Sequence, residues 1–217
     1  AHGSVRVVTE RSRVAMPETG IGFVPDVGGT HLALTGAQIG AADALLCGLA
    51  DHYVPTAALP ELLNALAESP VGEALAGHVR TPEEGALAAR RDWIDACYAA
   101  DTVEEIVRRL LAHGDPAAKE AAETLLAKSP TALKVTLASL RRARRLGTLE
   151  LVLNQEYRVS WAALDTPDLV EGIRAQVVDK DRRPRWSPKT LGEVTDADVE
   201  RFFTPLGERE LGLSPAP

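Results

Sequence analysis

The chain has 217 residues, 45% of them apolar and 25% charged, which is the profile of an ordinary globular protein. This length allows one large domain or two small ones, each with a buried core. The net charge of −7 argues against a general affinity for nucleic acid, because phosphate binding depends on a surplus of Lys and Arg. No apolar run approaches the ~18 residues that cross a bilayer. We therefore expect neither nucleic-acid nor membrane partners.

The first quarter of the chain predicts short strands at residues 5–9, 13–16 and 51–55, where β-branched and apolar residues are concentrated. Three short strands are too few for a self-sufficient sheet with helices packed on it. We therefore expect the sheet to continue in residues outside this sequence. The chain also reaches its first strand pattern without an initiator Met, which indicates a processed, cut or incompletely represented polypeptide.

From about Pro60 the pattern changes to successive helices. Capping residues and first-turn prolines mark four helix starts, and these are Thr81-Pro82-Glu83-Glu84, Thr102 with Glu105, Asp115-Pro116 and Ser129-Pro130. Apolar residues at helical spacing form two stripes, each typical of one face of a helix. The first contains Val103, Ile106, Val107, Leu110 and Leu111, and the second contains Leu149, Val152, Leu153 and Tyr157. In the Pro-rich tail, we expect Trp186 and Phe202-Phe203 to anchor the chain to the surface.

Residues 15–29 contain two carboxylates, Glu18 and Asp26, in a segment otherwise made mainly of apolar residues, prolines and glycines. Proline fixes φ and glycine permits unusual φ, so this backbone is shaped rather than regular. An acid held in apolar surroundings is prepared for proton transfer or nucleophilic attack. The alternative is a turn-rich surface loop with two solvated acids.

Other candidate groups have structural explanations that are at least as good. The cluster Arg141–Arg145 and the nearby Lys134 would suit a phosphate, yet cations also complement a helix C-terminus or lie in solvent. Neither the five histidines nor Cys47 and Cys97 show the spacing of a metal site, a catalytic triad or a disulfide framework. We expect no metal, and the low cysteine content favours a reducing compartment.

The carboxylate segment resembles the signature of the 3-hydroxyisobutyryl-CoA hydrolases, a branch of the crotonase (enoyl-CoA hydratase/isomerase) superfamily. The matching residues are Met16-Pro17-Glu18-Thr19, Ile21-Gly22 and Pro25-Asp26-Val27-Gly28-Gly29. Further matches follow in order along the chain. They are His2-Gly3 with Arg6-Val7 and Thr9-Glu10, Ser129-Pro130-Thr131 with Leu133-Lys134, Glu156-Tyr157-Arg158, residues 170–175, and residues 179–186.

This resemblance implies a hydrolase of 3-hydroxyisobutyryl-CoA, or of a similar small 3-hydroxyacyl-CoA thioester, in valine breakdown. Glu18 would be the nucleophile or the general base. Asp26 would be the second catalytic carboxylate and would accept a hydrogen bond from the 3-hydroxyl. Ile21, Gly22 and Phe23 would contact the substrate. Coenzyme A would be part of the substrate, and no separate cofactor is implied.

The fold that the resemblance implies is α/β. Residues 1–70 would form the end of a crotonase-like spiral core that carries the carboxylates, with only the C-terminal part of that core present. Residues 71–217 would form a mainly α-helical region. A homo-oligomer is compatible with the family, and the location would be the bacterial cytoplasm or the mitochondrial matrix.

The sequence departs from the family pattern in two places. The upstream glycine-rich turn and its oxyanion donor are absent, so we expect these 217 residues alone to be inactive. The family also has a helix and its connection between Gly29 and Leu34, whereas here Thr30 is followed directly by His31. We therefore predict that residues are absent between Thr30 and His31 and that no peptide bond joins them.

Two alternatives to the hydrolase remain. One is an enoyl-CoA hydratase or isomerase, in which Asp26 would only cap a helix. The typical residue of the hydratases at that position is glycine. The other is a non-catalytic helical assembly subunit, in which Glu18 and Asp26 would be solvated.

Overall fold

The computed structural model describes residues 3–25 and 30–215, and these divide into two compact units. The first unit contains residues 3–15 and 38–92, and the second contains residues 16–25, 30–37 and 93–215. The predicted division into domains 1–70 and 71–217 stays a prediction. The strands of the described residues are β1 (Val7–Val8) and β2 (His52–Tyr53). Their α-helices are α1 (Thr30–Thr35), α2 (Ala41–Leu46), α3 (Leu59–Glu68), α4 (Val71–Ala76), α5 (Ala86–Tyr98), α6 (Val103–Ala112), α7 (Pro116–Leu126), α8 (Pro130–Leu146), α9 (Leu149–Leu164), α10 (Pro167–Ile173) and α11 (Asp196–Glu200).

The first unit contains a two-stranded parallel sheet, in which Val7 pairs with His52 and Val8 with Tyr53. Strand pairing is thus found within the first and third predicted strands but is shorter than expected. In the second predicted strand only Val14 pairs, through an isolated antiparallel bridge to Ile39. A small core of Val54, Leu62, Ala74 and Leu75 packs helices α3 and α4 onto the chain that follows β2.

Helix α5 does not begin at the predicted cap, Thr81. Residues 81–85 are not helical, and α5 starts at Ala86. The carboxylate of Asp43 accepts the N–H groups of Ala86 (3.2 Å) and Leu87 (3.0 Å). The helix cap is therefore supplied by a side chain 43 residues earlier in the chain. The predicted helix start at Thr81 was wrong because it relied on a local capping pattern.

The other predicted helix starts are confirmed in the second unit. Thr102 accepts the N–H of Glu105, Asp115 that of Ala117, and Ser129 that of Ala132. Most of the first predicted stripe is buried in the main core, which also contains Leu34, Trp93, Leu125 and Leu133. Leu111 of the first stripe is 50% exposed, so its assignment was wrong. In the second stripe Leu149 is 64% exposed, and Val152, Leu153 and Tyr157 are only half-buried.

Helix α1 contradicts the predicted break in the chain. Thr30 and His31 are consecutive residues of this helix, and the hydroxyl of Thr35 donates to the carbonyl of His31 (2.7 Å). The helix runs through both residues, so the predicted missing peptide bond is wrong. That residues of the family pattern are absent at this point stays a prediction.

The aromatic anchors of the tail are confirmed. Phe202 and Phe203 are buried with Val135 and Val159. Trp186 is also buried, and its Nε1–H donates to the carbonyl of Ala127 (3.0 Å). Among residues 3–25 and 30–215, no helix is both long enough and apolar enough to cross a membrane.

Candidate functional site

Glu18 opens a single 3₁₀ turn, Glu18–Ile21, whose backbone is closed by its own hydrogen bonds. The carbonyl of Glu18 accepts the N–H groups of Gly22 and Phe23, and the carbonyl of Pro17 accepts the N–H of Gly20. Gly22 ends the turn at φ +73°, a left-handed conformation that glycine adopts without strain. The prolines and glycines of the sequence thus do shape the backbone at this site.

The side chain of Glu18 is half-buried, and its Oε2 atom is withdrawn from water. Its chain neighbours Met16 and Thr19 are buried. The predicted solvated loop does not describe this carboxyl group. A partly enclosed carboxylate on a fixed turn suits nucleophilic attack or general-base work.

Asp26, the second predicted carboxylate, lies outside the described residues, together with Val27, Gly28 and Gly29. Its predicted role beside Glu18 therefore stays a prediction.

The three predicted substrate contacts have different surroundings. Gly22 is buried, and with Val24, Thr131 and Asp168 it lines a cavity of about 240 Å³. Phe23 is partly buried and packs against the cluster that contains Val24. Ile21 is half-buried at the end of the turn. Their contact with substrate stays a prediction.

The turn is supported from behind by Ser129, the cap of α8. Its backbone N–H donates to the carbonyl of Thr19 (3.3 Å), and the Thr19 hydroxyl donates to the carbonyl of Leu34 (3.2 Å). The Ser129 hydroxyl donates to Oδ2 of Asp168 at 2.6 Å. Sequence reasoning identified Ser129 as a helix cap and as part of a family match, but it placed neither Ser129 nor Asp168 in the site.

Lys128 places a cation against the same turn. Its Nζ lies 3.2 Å from the position that a Cβ atom on Gly20 would occupy, and 3.7 Å from the equivalent position on Gly36. Burial lowers the pKa of the Lys128 ammonium group, because desolvation penalises its charged form. Apart from its position next to Ser129, no sequence pattern marks this residue.

The basic residues of α8 have structural partners. Lys134 forms an ion pair with Glu104 (2.7 Å) and donates to the carbonyl of Val194. Arg141 donates to the carbonyls of Tyr98 and Ala100. Lys134 and Arg141 therefore have structural roles, in agreement with the alternative to a phosphate site.

Within the described part of the chain, no group of three or more His, Cys, Asp or Glu side chains is placed to hold a metal ion.

Comparison with known proteins assigns the chain to a class of enzymes that act on acyl-CoA thioesters, as follows. The enoyl-CoA hydratase/isomerase family model matches residues 1–203, and the chain belongs to that family. Solved structures with the same fold include the following two. A carnitinyl-CoA dehydratase from Mycobacterium thermoresistibile is 52% identical, with a TM-score of 0.91, and covers 97% of this chain and 64% of its own. An enoyl-CoA hydratase from Rhodobacter sphaeroides 2.4.1 is 40% identical, with a TM-score of 0.85, and covers 98% and 65%.

The chain is also similar to curated mitochondrial 3-hydroxyisobutyryl-CoA hydrolases. The Gallus gallus enzyme is 39% identical over 98% of this chain and 61% of its own length. The Homo sapiens enzyme is 38% identical over 97% and 60%. The chain therefore spans about three fifths of the length of these relatives. The alignment with the Gallus gallus enzyme extends over 235 residues, more than the 217 of this chain, so that enzyme contains internal residues that this chain lacks.

Proposed function

We propose that the protein is an acyl-CoA thioester hydrolase acting on 3-hydroxyisobutyryl-CoA or a similar small 3-hydroxyacyl-CoA, as in valine breakdown. The observation that carries this proposal is the similarity to curated hydrolases of that substrate along nearly the whole chain. The half-buried carboxyl group of Glu18 on its closed turn supplies a group suited to the chemistry.

Glu18 would act in one of two ways. As a nucleophile, its carboxylate attacks the thioester carbonyl, the C–S bond breaks and coenzyme A leaves as a thiolate. Water then hydrolyses the resulting mixed anhydride. As a general base, it removes a proton from water, and the hydroxide displaces the thiolate. In both routes, Asp26 would orient the substrate by accepting a hydrogen bond from its 3-hydroxyl group.

The fold supports a companion proposal. The two strands β1 and β2 are too short to form an independent sheet. We propose that they are the end of a crotonase-like spiral core, followed by the helical region. A soluble location in the bacterial cytoplasm or mitochondrial matrix and a homo-oligomeric assembly are part of the same proposal. The curated relatives are named as mitochondrial proteins.

A second candidate is a hydratase or dehydratase of an acyl-CoA. The observation that favours it is the 52% identity to the structure described as a carnitinyl-CoA dehydratase. In this candidate Glu18 would transfer a proton in the addition or removal of water, and the thioester would remain intact. Asp26 would then only cap a helix.

The two candidates differ in the bond that breaks, so one experiment separates them. The full-length protein is assayed with 3-hydroxyisobutyryl-CoA and with crotonyl-CoA in parallel. Free thiol is followed in the first reaction and loss of the conjugated double bond in the second. Thiol release supports the hydrolase, whereas hydration without thiol release overturns it. Neither activity would favour a non-catalytic assembly subunit.

The role of Glu18 is tested with a matched pair of variants. Glu18→Gln removes the carboxylate with little change of shape, and we expect thiol release to fall by roughly 10²–10⁴. Glu120→Gln makes the same change at an exposed position of α7 and should leave the rate unchanged. Asp26→Gly should lower thiol release as well. Equal rates in the Glu18 and Glu120 variants would exclude Glu18 as the catalytic group.

A further inference from the structure

We propose that Asp168 is a positioning residue for the reaction: it fixes the turn that carries Glu18, through Ser129 and through direct backbone contact with Gly22. This inference rests on the proposed catalytic role of Glu18. It assigns a function to a buried acidic residue.

The carboxylate of Asp168 is 2% exposed, and both of its oxygens accept hydrogen bonds. Oδ2 accepts from the Ser129 hydroxyl at 2.6 Å, and Oδ1 accepts from the backbone N–H of Ser187 at 2.7 Å. Hydrogen bonds to a charged acceptor are shorter and about twice as strong as neutral ones. Asp168 therefore joins the starts of α8 and α10 to the chain that leads into the tail.

Ser129 transmits this anchorage to the turn. Its hydroxyl donates to Asp168 while also accepting the N–H of Ala132, so its side chain is held on two sides. Its backbone N–H donates to the carbonyl of Thr19, the residue that follows Glu18. A movement of Ser129 would therefore shift the backbone next to the catalytic carboxyl.

The second route from α10 to the turn is direct backbone contact. A Cβ atom on Gly22 would lie 2.4 Å from the carbonyl carbon and oxygen of Asp168. A Cβ atom on Gly172 would lie 2.2 Å from the carbonyl oxygen of Ile21. Glycine at these two positions lets the backbones approach until they touch, which leaves the turn no room to move toward α10.

Together, these contacts hold the turn at both ends. Catalysis by an oriented group is sensitive to position, since a displacement of about 1 Å costs roughly 10² in rate. The buried carboxylate of Asp168 suits such positioning, because its two oxygens hold Ser129 and Ser187. Loss of one hydrogen bond should loosen the turn without removing any group that binds the substrate.

The test uses Asp168→Asn, which keeps the shape and an acceptor for the N–H of Ser187. It removes the charge and replaces the acceptor of the Ser129 hydroxyl with an amide NH2 group, so the charge-assisted hydrogen bond is lost. We expect kcat for thiol release to fall about 10–100-fold, with KM changing less than about 3-fold. The control Asp165→Asn changes an exposed acid just before α10 and should leave both parameters unchanged. A kcat within about 3-fold of wild type in folded Asp168→Asn would overturn the proposal.

A second pair of variants covers the case in which Asp168→Asn does not fold. Ser129→Ala removes the same hydrogen bond together with one helix cap, and we expect the same selective loss of kcat. Thr102→Ala removes a comparable cap from α6, away from the turn, and should not change kcat. If the two cap variants have equal rates, the contact through Ser129 does not position Glu18.

A double-mutant cycle between Asp168 and Glu18 distinguishes a positioning role of Asp168 from a merely structural one. In Glu18→Asp the carboxylate is already withdrawn by one methylene, so adding Asp168→Asn should lower kcat less than about 3-fold further. A structural defect would instead multiply the two losses. The wild-type assays keep the failure of the proposed function distinct: if crotonyl-CoA is hydrated and no thiol appears, the same cycle is measured on hydration.

Discussion

Replacing Gly22 with alanine tests how firmly the turn that carries Glu18 is held. The new Cβ atom would lie 2.4 Å from the backbone of Asp168, whereas ordinary contacts begin near 3.4 Å, so the two segments must separate by about 1 Å. The left-handed conformation at φ +73° costs an L-residue about 1–2 kcal/mol, and overpacking adds about 1–3 kcal/mol. We expect a loss of unfolding free energy of about 2–5 kcal/mol, and a fall in kcat of about 10².

Gly147→Ala is the matched control, because Gly147 has φ +76° but open space around the Cβ position. It should lose only the conformational part, about 1–2 kcal/mol, and keep its kcat. Urea unfolding gives the free energies, and thiol release from 3-hydroxyisobutyryl-CoA gives kcat for the folded proteins. Equal destabilisation of the two variants, with kcat of Gly22→Ala near that of wild type, would refute the tight contact at the turn.

Three further predictions concern the framework. Asp43→Ala removes the distant cap of α5 and should lower the unfolding free energy by about 1–2 kcal/mol in urea titrations. Leu110→Ala empties a fully buried site and should cost about 2–5 kcal/mol, whereas Leu111→Ala on the exposed face should cost less than about 1 kcal/mol. The hydrogen bonds of Arg174 hold the pKa of Glu171 at about 2, below its ordinary 4.5. The stability from this pair is therefore present above pH 4.5 and is lost as the pH falls toward 2. Between pH 6 and pH 3, the Tm of Arg174→Gln should fall less than that of wild type.

If Asp43→Ala is as stable as wild type, its carboxylate does not cap α5. If the two leucine variants lose the same free energy, the orientation of α6 is wrong. If the Tm of Arg174→Gln falls as steeply in acid as that of wild type, other carboxylates carry the acid dependence.

The helix starts that could be predicted from the sequence are those whose cap is local. The Thr102 hydroxyl reaches an N–H three residues away, and Ser129 does the same at the start of α8. The cap of α5 comes from Asp43, so the pattern at Thr81 misled. Leu111 was misassigned because consecutive residues of an α-helix lie about 100° apart around its axis, so the neighbour of the buried Leu110 falls outside the buried face.

The candidate site was only half accessible to sequence reasoning. Glu18 stood out because prolines and glycines around an acid indicate a shaped backbone, and the turn confirms that shape. Asp168 gave no such signal, since its hydrogen bond with Ser129 spans 39 residues. The expected break at Thr30 failed for a related reason: comparison with a family pattern shows that residues differ, but not how the remaining backbone is joined.

The catalytic role of Glu18 is tested most directly by a crystal structure of the Glu18→Gln variant with uncleaved 3-hydroxyisobutyryl-CoA. If Glu18 is the nucleophile, the carbonyl carbon of the thioester should lie about 3–3.5 Å from the side-chain amide of residue 18; if it is the general base, one water molecule should lie between them, within hydrogen-bond distance of that amide. In both cases the 3-hydroxyl group should face Asp26. If the acyl group is well defined but lies away from the turn and contacts residue 18 neither directly nor through that water, Glu18 is not the catalytic group.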